Sequence, residues 1–188
     1  MSRRAGLTKE IVVETAMKIA DTEGINNLTL LRLSKELGIR SPSLYEHVEG
    51  MDGLMKLLRL SGLKIMAWQF RRSVTGISGD EAIRRFADSF RKFVKEHPSV
   101  YSLTVQSDIG DSEEIRKTAK EILDIIYAIL RIYGLSDDKI IHATRYMRSV
   151  LHGFVSLEIS GGFGLEVRIE DSFDLIKEVI ISNIMAWR

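Results

Sequence analysis

The chain has no cysteine, only two prolines and no marked excess of charge of either sign. Without cysteine it can form neither a disulfide framework nor a thiolate metal site, and it suits a reducing compartment. No run approaches about 18 uninterrupted apolar residues, and the N-terminus lacks the apolar segment of a signal peptide. We therefore expect a cytoplasmic protein that does not cross a membrane.

The sequence also shows no spacing of side chains that would favour catalysis or metal binding. The four histidines lie at least ten residues apart, so no two share a helical turn, and we predict no metal site and no cofactor. No nucleophile, base and acid come together in the sequence, so we predict no catalytic residue and no enzyme. The glycine-rich segment 160–164 misses the spacing of a nucleotide-binding loop and is expected to connect two helices.

Apolar residues recur at helical spacing along most of the chain. With 45% hydrophobic and 28% charged residues, the composition is that of a globular protein, and the 3.6-residue period predicts an all-α fold. The first helix is expected over about 9–23, and later helices over about 53–73, 79–96, 136–159 and from Ser172 onward. Asp52 is expected to cap the helix that starts near Gly53.

Residues 28–48 predict two short helices joined by a tight turn. Thr29 is expected to cap the first helix, and Gly38 to end it in a left-handed conformation. Ser41 is expected to cap the second helix, with Pro42 at its first position, where a missing N–H costs nothing.

The second of these short helices has an inner and an outer side. Leu44 and Val48 are expected to point inward, which leaves Ser43, Tyr45 and His47 pointing outward. A short helix held at an angle to another, with small polar and aromatic groups on its outer face, is suited to enter the major groove of DNA.

This segment resembles the DNA-binding region of the tetracycline-repressor (TetR) family of bacterial regulators. The matching residues are Thr29, Leu37, Gly38, Ile39, Ser43, Leu44, Tyr45, His47 and Val48. The resemblance covers roughly the first third of the chain. A second resemblance links LHGFVSLEISGGFG, at residues 151–164, to the C-terminal region of one TetR subgroup, which has an LHGF-type motif.

The resemblance implies a three-helix, helix-turn-helix DNA-binding domain at residues 1–50 and a helical ligand-binding and dimerisation domain at residues 51–188. It implies a homodimer that binds a palindromic double-stranded DNA operator as a repressor and is released by a small apolar effector. The alternative is a DNA-tethered regulator that interacts with another protein and has no small-molecule ligand.

The residues expected to contact DNA lie in the N-terminal region. They are Arg3, Arg4, Thr29, Arg40, Ser41, Pro42, Ser43, Tyr45, His47 and Lys56. Tyr45 is expected to touch a phosphate or a thymine methyl group, and Arg40 either a guanine edge or a phosphate. Met51 occupies a position where the family commonly has a phosphate-binding lysine, so we expect Lys56 to replace it and non-specific affinity to be weak.

Two further sets of residues are predicted in the C-terminal part. Aromatic and flexible side chains suggest a ligand pocket between helices, lined by Trp68, Phe86, Phe90, Phe93, Tyr101, Tyr127, Met147 and Phe154. The last two helices are apolar over more than one face, which predicts a four-helix interface between two copies of the chain. Its expected residues are Ser149, His152, Gly153, Ser156, Phe173, Ile176, Ile180, Ile184 and Trp187.

Overall fold

The computed structural model of the chain describes residues 7–105 and 112–188. Within these ranges the regular secondary structure is helical, which confirms the predicted all-α class. The helices are α1 (Lys9–Glu23), α2 (Leu30–Leu37), α3 (Ser41–Leu44), α4 (Gly50–Val74), α5 (Gly79–Glu96), α6 (Pro98–Val105), α7 (Glu113–Arg131), α8 (Asp137–Ile159) and α9 (Ile169–Ala186). None of the described helices is long and apolar enough to span a membrane.

Most helix ends follow the expected local signals, but two helices begin earlier than predicted. α4 begins at Gly50 instead of near Gly53, so Asp52 lies inside its first turn and does not cap it. α9 begins at Ile169 instead of Ser172. Both extensions place an acidic side chain in the first turn, where it interacts favourably with the helix dipole.

The helices form two compact units. The first, here called the head unit, contains the chain up to Lys64 together with Glu96–Arg116, and the second, the body unit, contains Ile65–Lys95 and Lys117–Arg188. This division differs from the predicted boundary between residues 50 and 51. It differs because α6 packs against α1 and against the first half of α4.

The interior of the body unit is built around aromatic rings. The ring of Phe70 lies 4.7 Å from that of Phe86 and 6.2 Å from that of Phe90, between centroids. Five of the predicted pocket residues are buried in this unit: Phe86, Phe90, Phe93, Met147 and Phe154. The rings of Phe86 and Phe90 pack against Phe70 and fill the space between α4 and α5.

Two of the predicted pocket residues are placed elsewhere. Trp68 is 54% exposed, with the guanidinium of Arg72 lying 4.7 Å from its ring centre, so its prediction as a pocket residue is wrong. Trp68 follows the same apolar spacing as its neighbours on α4, but it falls on the outer side of the helix. Tyr101 is buried in the head unit and does not join the aromatic residues of the body unit.

Three of the residues predicted at a subunit interface are buried within a single chain. Phe173 is 1% exposed, and Ile180 and Ile184 are fully buried, so these three predictions are wrong. Their spacing is that of the inner face of α9. The opposite face of α9 carries exposed apolar side chains, Leu175 at 67% and Val179 at 54%.

A buried ion pair ties α5 to the end of α8. The guanidinium of Arg91 donates two hydrogen bonds to the carboxylate of Glu158, at 2.6 and 2.7 Å, and Lys95 donates a third at 2.8 Å. The side chain of Glu158 is 7% exposed. The hydrogen bonds from Arg91 are the main cause that holds the pKa of the Glu158 carboxyl below its ordinary value, and the bond from Lys95 lowers it further.

Replacing Arg91 by methionine should lower the free energy of unfolding by about 2–3 kcal/mol at neutral pH, because it leaves a buried carboxylate short of a partner. Arg84→Met is the matched control. Arg84 makes the same two-bond contact to Glu178, but on the surface, so its loss should be much smaller. Urea unfolding followed by circular dichroism measures both losses.

The loss in Arg91→Met should also depend on pH. Because the pKa of Glu158 is lowered in the folded protein, the stabilisation is complete above the unfolded value of about 4.3 and is lost as the pH falls through the folded value. The gap in stability between wild type and variant should therefore narrow between pH 7 and about pH 3. A gap that does not change with pH would contradict this assignment.

Candidate nucleic-acid interface

The turn between α2 and α3 is set by Gly38. Its φ is +65°, in the left-handed region, as the sequence predicts. The N–H of Gly38 donates to the carbonyl of Lys35 at 3.2 Å, and that of Ile39 to the carbonyl of Ser34 at 3.0 Å. These two bonds form a Schellman motif, which ends the helix and turns the chain sharply.

The start of α3 is held by a contact between two serine hydroxyl groups. The oxygens of Ser34 and Ser41 lie 3.3 Å apart, and Ser34 is buried. The predicted cap at Ser41 is wrong: Arg40 occupies the cap position and makes no side-chain capping bond. The Ser41 hydroxyl instead faces α2, and the fixed φ of Pro42 maintains the first turn.

α3 and the residues after it have the predicted inner and outer sides. Leu44 is fully buried and Val48 is 3% exposed, so both anchor the segment in the core of the head unit. Tyr45 is 60% exposed, and Pro42, Ser43 and Arg40 are exposed as well, whereas His47 is half-buried. The outward surface of α3 is therefore polar and aromatic, and it rests on two apolar anchors.

α2 is fixed at its N-terminus and along its outer side. The Thr29 hydroxyl accepts a hydrogen bond from the N–H of Arg32 at 3.0 Å, which confirms the predicted cap. The Arg32 guanidinium bonds Glu23 at 2.6 and 3.1 Å and Glu36 at 2.7 Å. Arg32 thus links the end of α1 to α2, and its charge is neutralised by two carboxylates. The sequence analysis did not predict these contacts. The i,i+4 spacing of Arg32 and Glu36 could have indicated the contact within α2, but not the contact with Glu23.

The start of α4 brings acidic groups close to α3 along the chain. Glu46, Glu49 and Asp52 are exposed, and Met51 is half-buried in the first turn of α4. Lys56 is exposed on the same helix, as required of a residue that is to reach a phosphate. The surface after α3 therefore offers one basic group among three acidic ones.

A second feature that sequence reasoning missed joins α1 to α6 within the head unit. The Asp21 carboxylate lies 2.9 Å from Nδ1 of His97 and accepts the backbone N–H groups of Ser99 and Val100, at 3.2 and 3.3 Å. A Cβ at Gly62 would lie only 2.5 Å from the side chain of Val100, so glycine is needed where α6 crosses α4. No sequence motif indicates these long-range contacts.

These features define the class of the protein. Two short helices joined by a tight turn, with the second presenting polar and aromatic side chains to solvent, form a helix-turn-helix DNA-binding unit. The residues described contain no group of three or more potential ligands that could hold a metal ion.

Comparisons with known proteins place the chain in a family. Residues 83–180 match the model of the tetracycline repressor-like C-terminal domain. The chain is 34% identical over 186 residues to the HTH-type transcriptional regulator YobS of Bacillus subtilis, with 98% of this chain and 96% of that protein covered. It is 32% identical to an HTH-type transcriptional regulator of Mycobacterium tuberculosis, with 86% and 74% covered. The chain belongs to the TetR family of transcriptional regulators and is not an enzyme.

Solved structures show the same fold. A protein from Rhodococcus sp. RHA1 superposes with a TM-score of 0.83 at 14% identity, covering 97% of this chain and 98% of that one. BioQ in complex with its double-stranded DNA operator superposes with a TM-score of 0.69 at 23% identity, covering 96% of this chain and 99% of that one.

Two residues predicted to contact DNA, Arg3 and Arg4, lie outside the described residues.

Gly38→Ala should destabilise the head unit by about 1–2 kcal/mol, the cost of a left-handed conformation for a residue with a Cβ. A Cβ at this position meets nothing within 4 Å, so conformation alone sets the loss. Gly38→Asn is the control, because asparagine adopts this conformation more easily and should lose less. Equal losses in the two variants, measured by urea unfolding, would contradict the proposed cause.

Proposed function

We propose that this protein is a homodimeric repressor that binds a palindromic DNA operator through α3 and is released by a small apolar ligand. The observation that carries the proposal is the surface of α3 and the residues directly after it, where exposed Ser43 and Tyr45 are held by buried Leu44 and Val48. A rigid polar surface on a one-turn helix has no role in the protein's own core. Repressors among the relatives, such as the class D tetracycline repressor, support the direction of regulation.

The roles of the individual DNA-contacting residues follow from their exposure. Pro42 and Ser43 lie at the start of α3, where side chains of a recognition helix meet base edges. The exposed Arg40 can reach a guanine or a phosphate, and Tyr45 a phosphate or a thymine methyl group. Lys56 and the start of α2 at Thr29 are suited to phosphate. His47 and Ser41 are less accessible and would act mainly by positioning α3.

Two copies would pair through the outer faces of α8 and α9. Leu175, Ile176 and Val179 form an apolar stripe on α9, while Ser149 and Ser156 lie on the outward side of α8. His152, Gly153 and Trp187 are half-buried and belong to the same proposed interface. Two antiparallel helices from each copy would make a four-helix bundle, the geometry that a twofold axis closes.

The two recognition helices of such a dimer would lie about one DNA turn apart, roughly 34–36 Å. A ligand bound to the body unit would release DNA if it favours a dimer with another spacing. Its effect is limited by its differential affinity for the two states. A structural neighbour, a TetR variant from Acinetobacter baumannii in complex with minocycline, supports the proposal of a small-molecule ligand.

A second candidate is a DNA-tethered regulator without a small-molecule ligand. The packing of Phe70, Phe86 and Phe90 ring against ring favours it, because it fills part of the predicted pocket. A thermal-shift screen with apolar compounds separates the two, since a ligand that binds the folded state raises the melting temperature.

Tyr45→Ala should weaken operator binding by about 10- to 100-fold without changing the oligomeric state. Fluorescence anisotropy on DNA flanking the protein's own gene, across a salt series, measures the affinity and counts the phosphate contacts. Tyr45→Phe separates the two roles of the side chain. It should lose about 3- to 10-fold if the hydroxyl bonds a phosphate, and nothing if the ring contacts a thymine methyl.

The control for Tyr45 is Trp68→Ala, which removes an exposed aromatic side chain from the body unit. It should bind the operator as the wild type does. Unchanged affinity in Tyr45→Ala, or an equal loss in Trp68→Ala, would contradict the proposed DNA-binding surface.

Val179→Asp should weaken the dimer by at least about 100-fold, because the proposed interface would bury an unpaired carboxylate. Ile132→Asp is the control, since Ile132 is similarly exposed, at 56%, but directly follows α7. Sedimentation velocity should show monomers only for Val179→Asp, with both variants remaining helical. Ile180→Asp should instead unfold the chain, because Ile180 is fully buried. A dimeric Val179→Asp would rule out this interface.

A further inference from the structure

A small cavity lies in the body unit beneath the loop that joins α8 to α9. Its volume is about 180 Å³. It is lined by two glycines of the loop and by Phe154, Phe163, Leu165, Val167, Ile169 and Ser172. None of these residues belongs to the aromatic cluster of α4 and α5, so the cavity is distinct from the pocket that the sequence predicts, except at Phe154.

The inner wall of the cavity is rigid. Phe154 is 8% exposed and lies between two other rings, with centroid distances of 4.9 Å to Phe163 and 5.3 Å to Phe173. The N–H of Gly162 donates to the carbonyl of Leu157 at 2.8 Å, which fixes the loop to the end of α8. At the end of α8, the neighbouring Glu158 is held by Arg91.

The outer rim is apolar and exposed to water. Leu165 is 87% exposed and Val167 is 67% exposed, although both side chains also line the cavity. A ligand that fills the cavity would remove part of these two side chains from water, which favours binding.

One polar residue belongs to this otherwise apolar lining. Ser172 is half-buried, and its hydroxyl makes no hydrogen bond to any residue in the described ranges. A serine hydroxyl can donate one hydrogen bond and accept others. Among the described residues, no charged side chain lines the cavity, so an ionised ligand would lose its hydration without gaining a counter-charge.

The volume limits the size of the ligand. An apolar cavity of about 150 Å³ lined by leucine, isoleucine and phenylalanine is large enough to bind benzene. We propose that this cavity binds a neutral monocyclic aromatic molecule with one hydroxyl group, that is, a phenol. The ring would pack against Phe154 and Phe163, and its hydroxyl would bond that of Ser172. Binding does not depend on the proposed function, but a role for the phenol as the effector rests on it.

Phenol and toluene test this assignment on the full chain, because they match in size and differ in the hydroxyl. Amide chemical shifts of the isotope-labelled protein give both dissociation constants and the location of binding. The wild type should bind phenol about 3- to 10-fold more tightly than toluene, the effect of one neutral hydrogen bond. The shifts should be largest in residues 160–172.

Three variants make the test specific. Ser172→Ala should abolish the preference for phenol while leaving the affinity for toluene unchanged. Phe163→Ala should weaken both ligands by about tenfold, since it removes a ring contact. Ser182→Ala, an exposed serine further along α9, should bind both as the wild type does. Circular dichroism checks that each variant is folded.

Several outcomes would overturn the proposal. They are the absence of shifts in residues 160–172 at millimolar phenol, and an unchanged phenol preference in Ser172→Ala. Binding seen only when the protein is diluted to monomers would show that a second copy covers the cavity instead. Operator anisotropy with phenol is measured separately: binding without DNA release would leave the cavity assigned and exclude phenol as the effector.

Discussion

The burial of Leu44 and Val48 is the constraint on which DNA recognition by this chain depends. α3 has only four residues, far too few for a helix that is stable alone, so its geometry comes entirely from tertiary contacts. The two apolar anchors set its depth, and the Schellman turn at Gly38 and the contact between Ser34 and Ser41 set its angle to α2. Tyr45 and Ser43 therefore reach solvent from a base fixed by tertiary contacts, so the proposed contacts of these side chains with DNA would cost little conformational entropy.

The head unit is larger than a three-helix DNA-binding domain. α6 belongs to it because Asp21 of α1 accepts two N–H groups at the start of α6, and because Gly62 of α4 lets Val100 approach closely. The chain consequently passes between the head and body units within α4, at the end of α5 and within α7. Asp21 would act on DNA binding only through the positions of α1 and α6.

The net charge of this protein is small, because basic and acidic side chains nearly balance. The net charge is +1, Arg32 is neutralised by Glu23 and Glu36, and the exposed Glu46, Glu49 and Asp52 follow α3 directly. Non-specific affinity for DNA comes mainly from phosphate contacts, so such a surface should discriminate among sequences more by base contacts than by charge. In the body unit a buried ion pair, Arg91 with Glu158, holds the end of α8 beside the loop that covers the cavity.

Local chemistry in the sequence determined the all-α class, the bounds of α1, α5 and α8, the cap at Thr29, the turn at Gly38 and the inward direction of Leu44 and Val48. Each of these depends on residues within one or two helical turns of each other, so spacing and capping rules apply directly. Only the tertiary structure decided which apolar face of α9 is inside, where Trp68 points, and to which unit α6 belongs. Periodicity shows that α9 has apolar residues on two faces, but it cannot show which face meets the rest of the chain. Phe173, Ile180 and Ile184 went inward because α5 and α8 pack against that side, leaving Leu175 and Val179 to solvent. Asp21 binds the start of α6, and Arg32 binds Glu23 at the end of α1. No sequence motif links the partners in either contact, so only the folded chain brings them together.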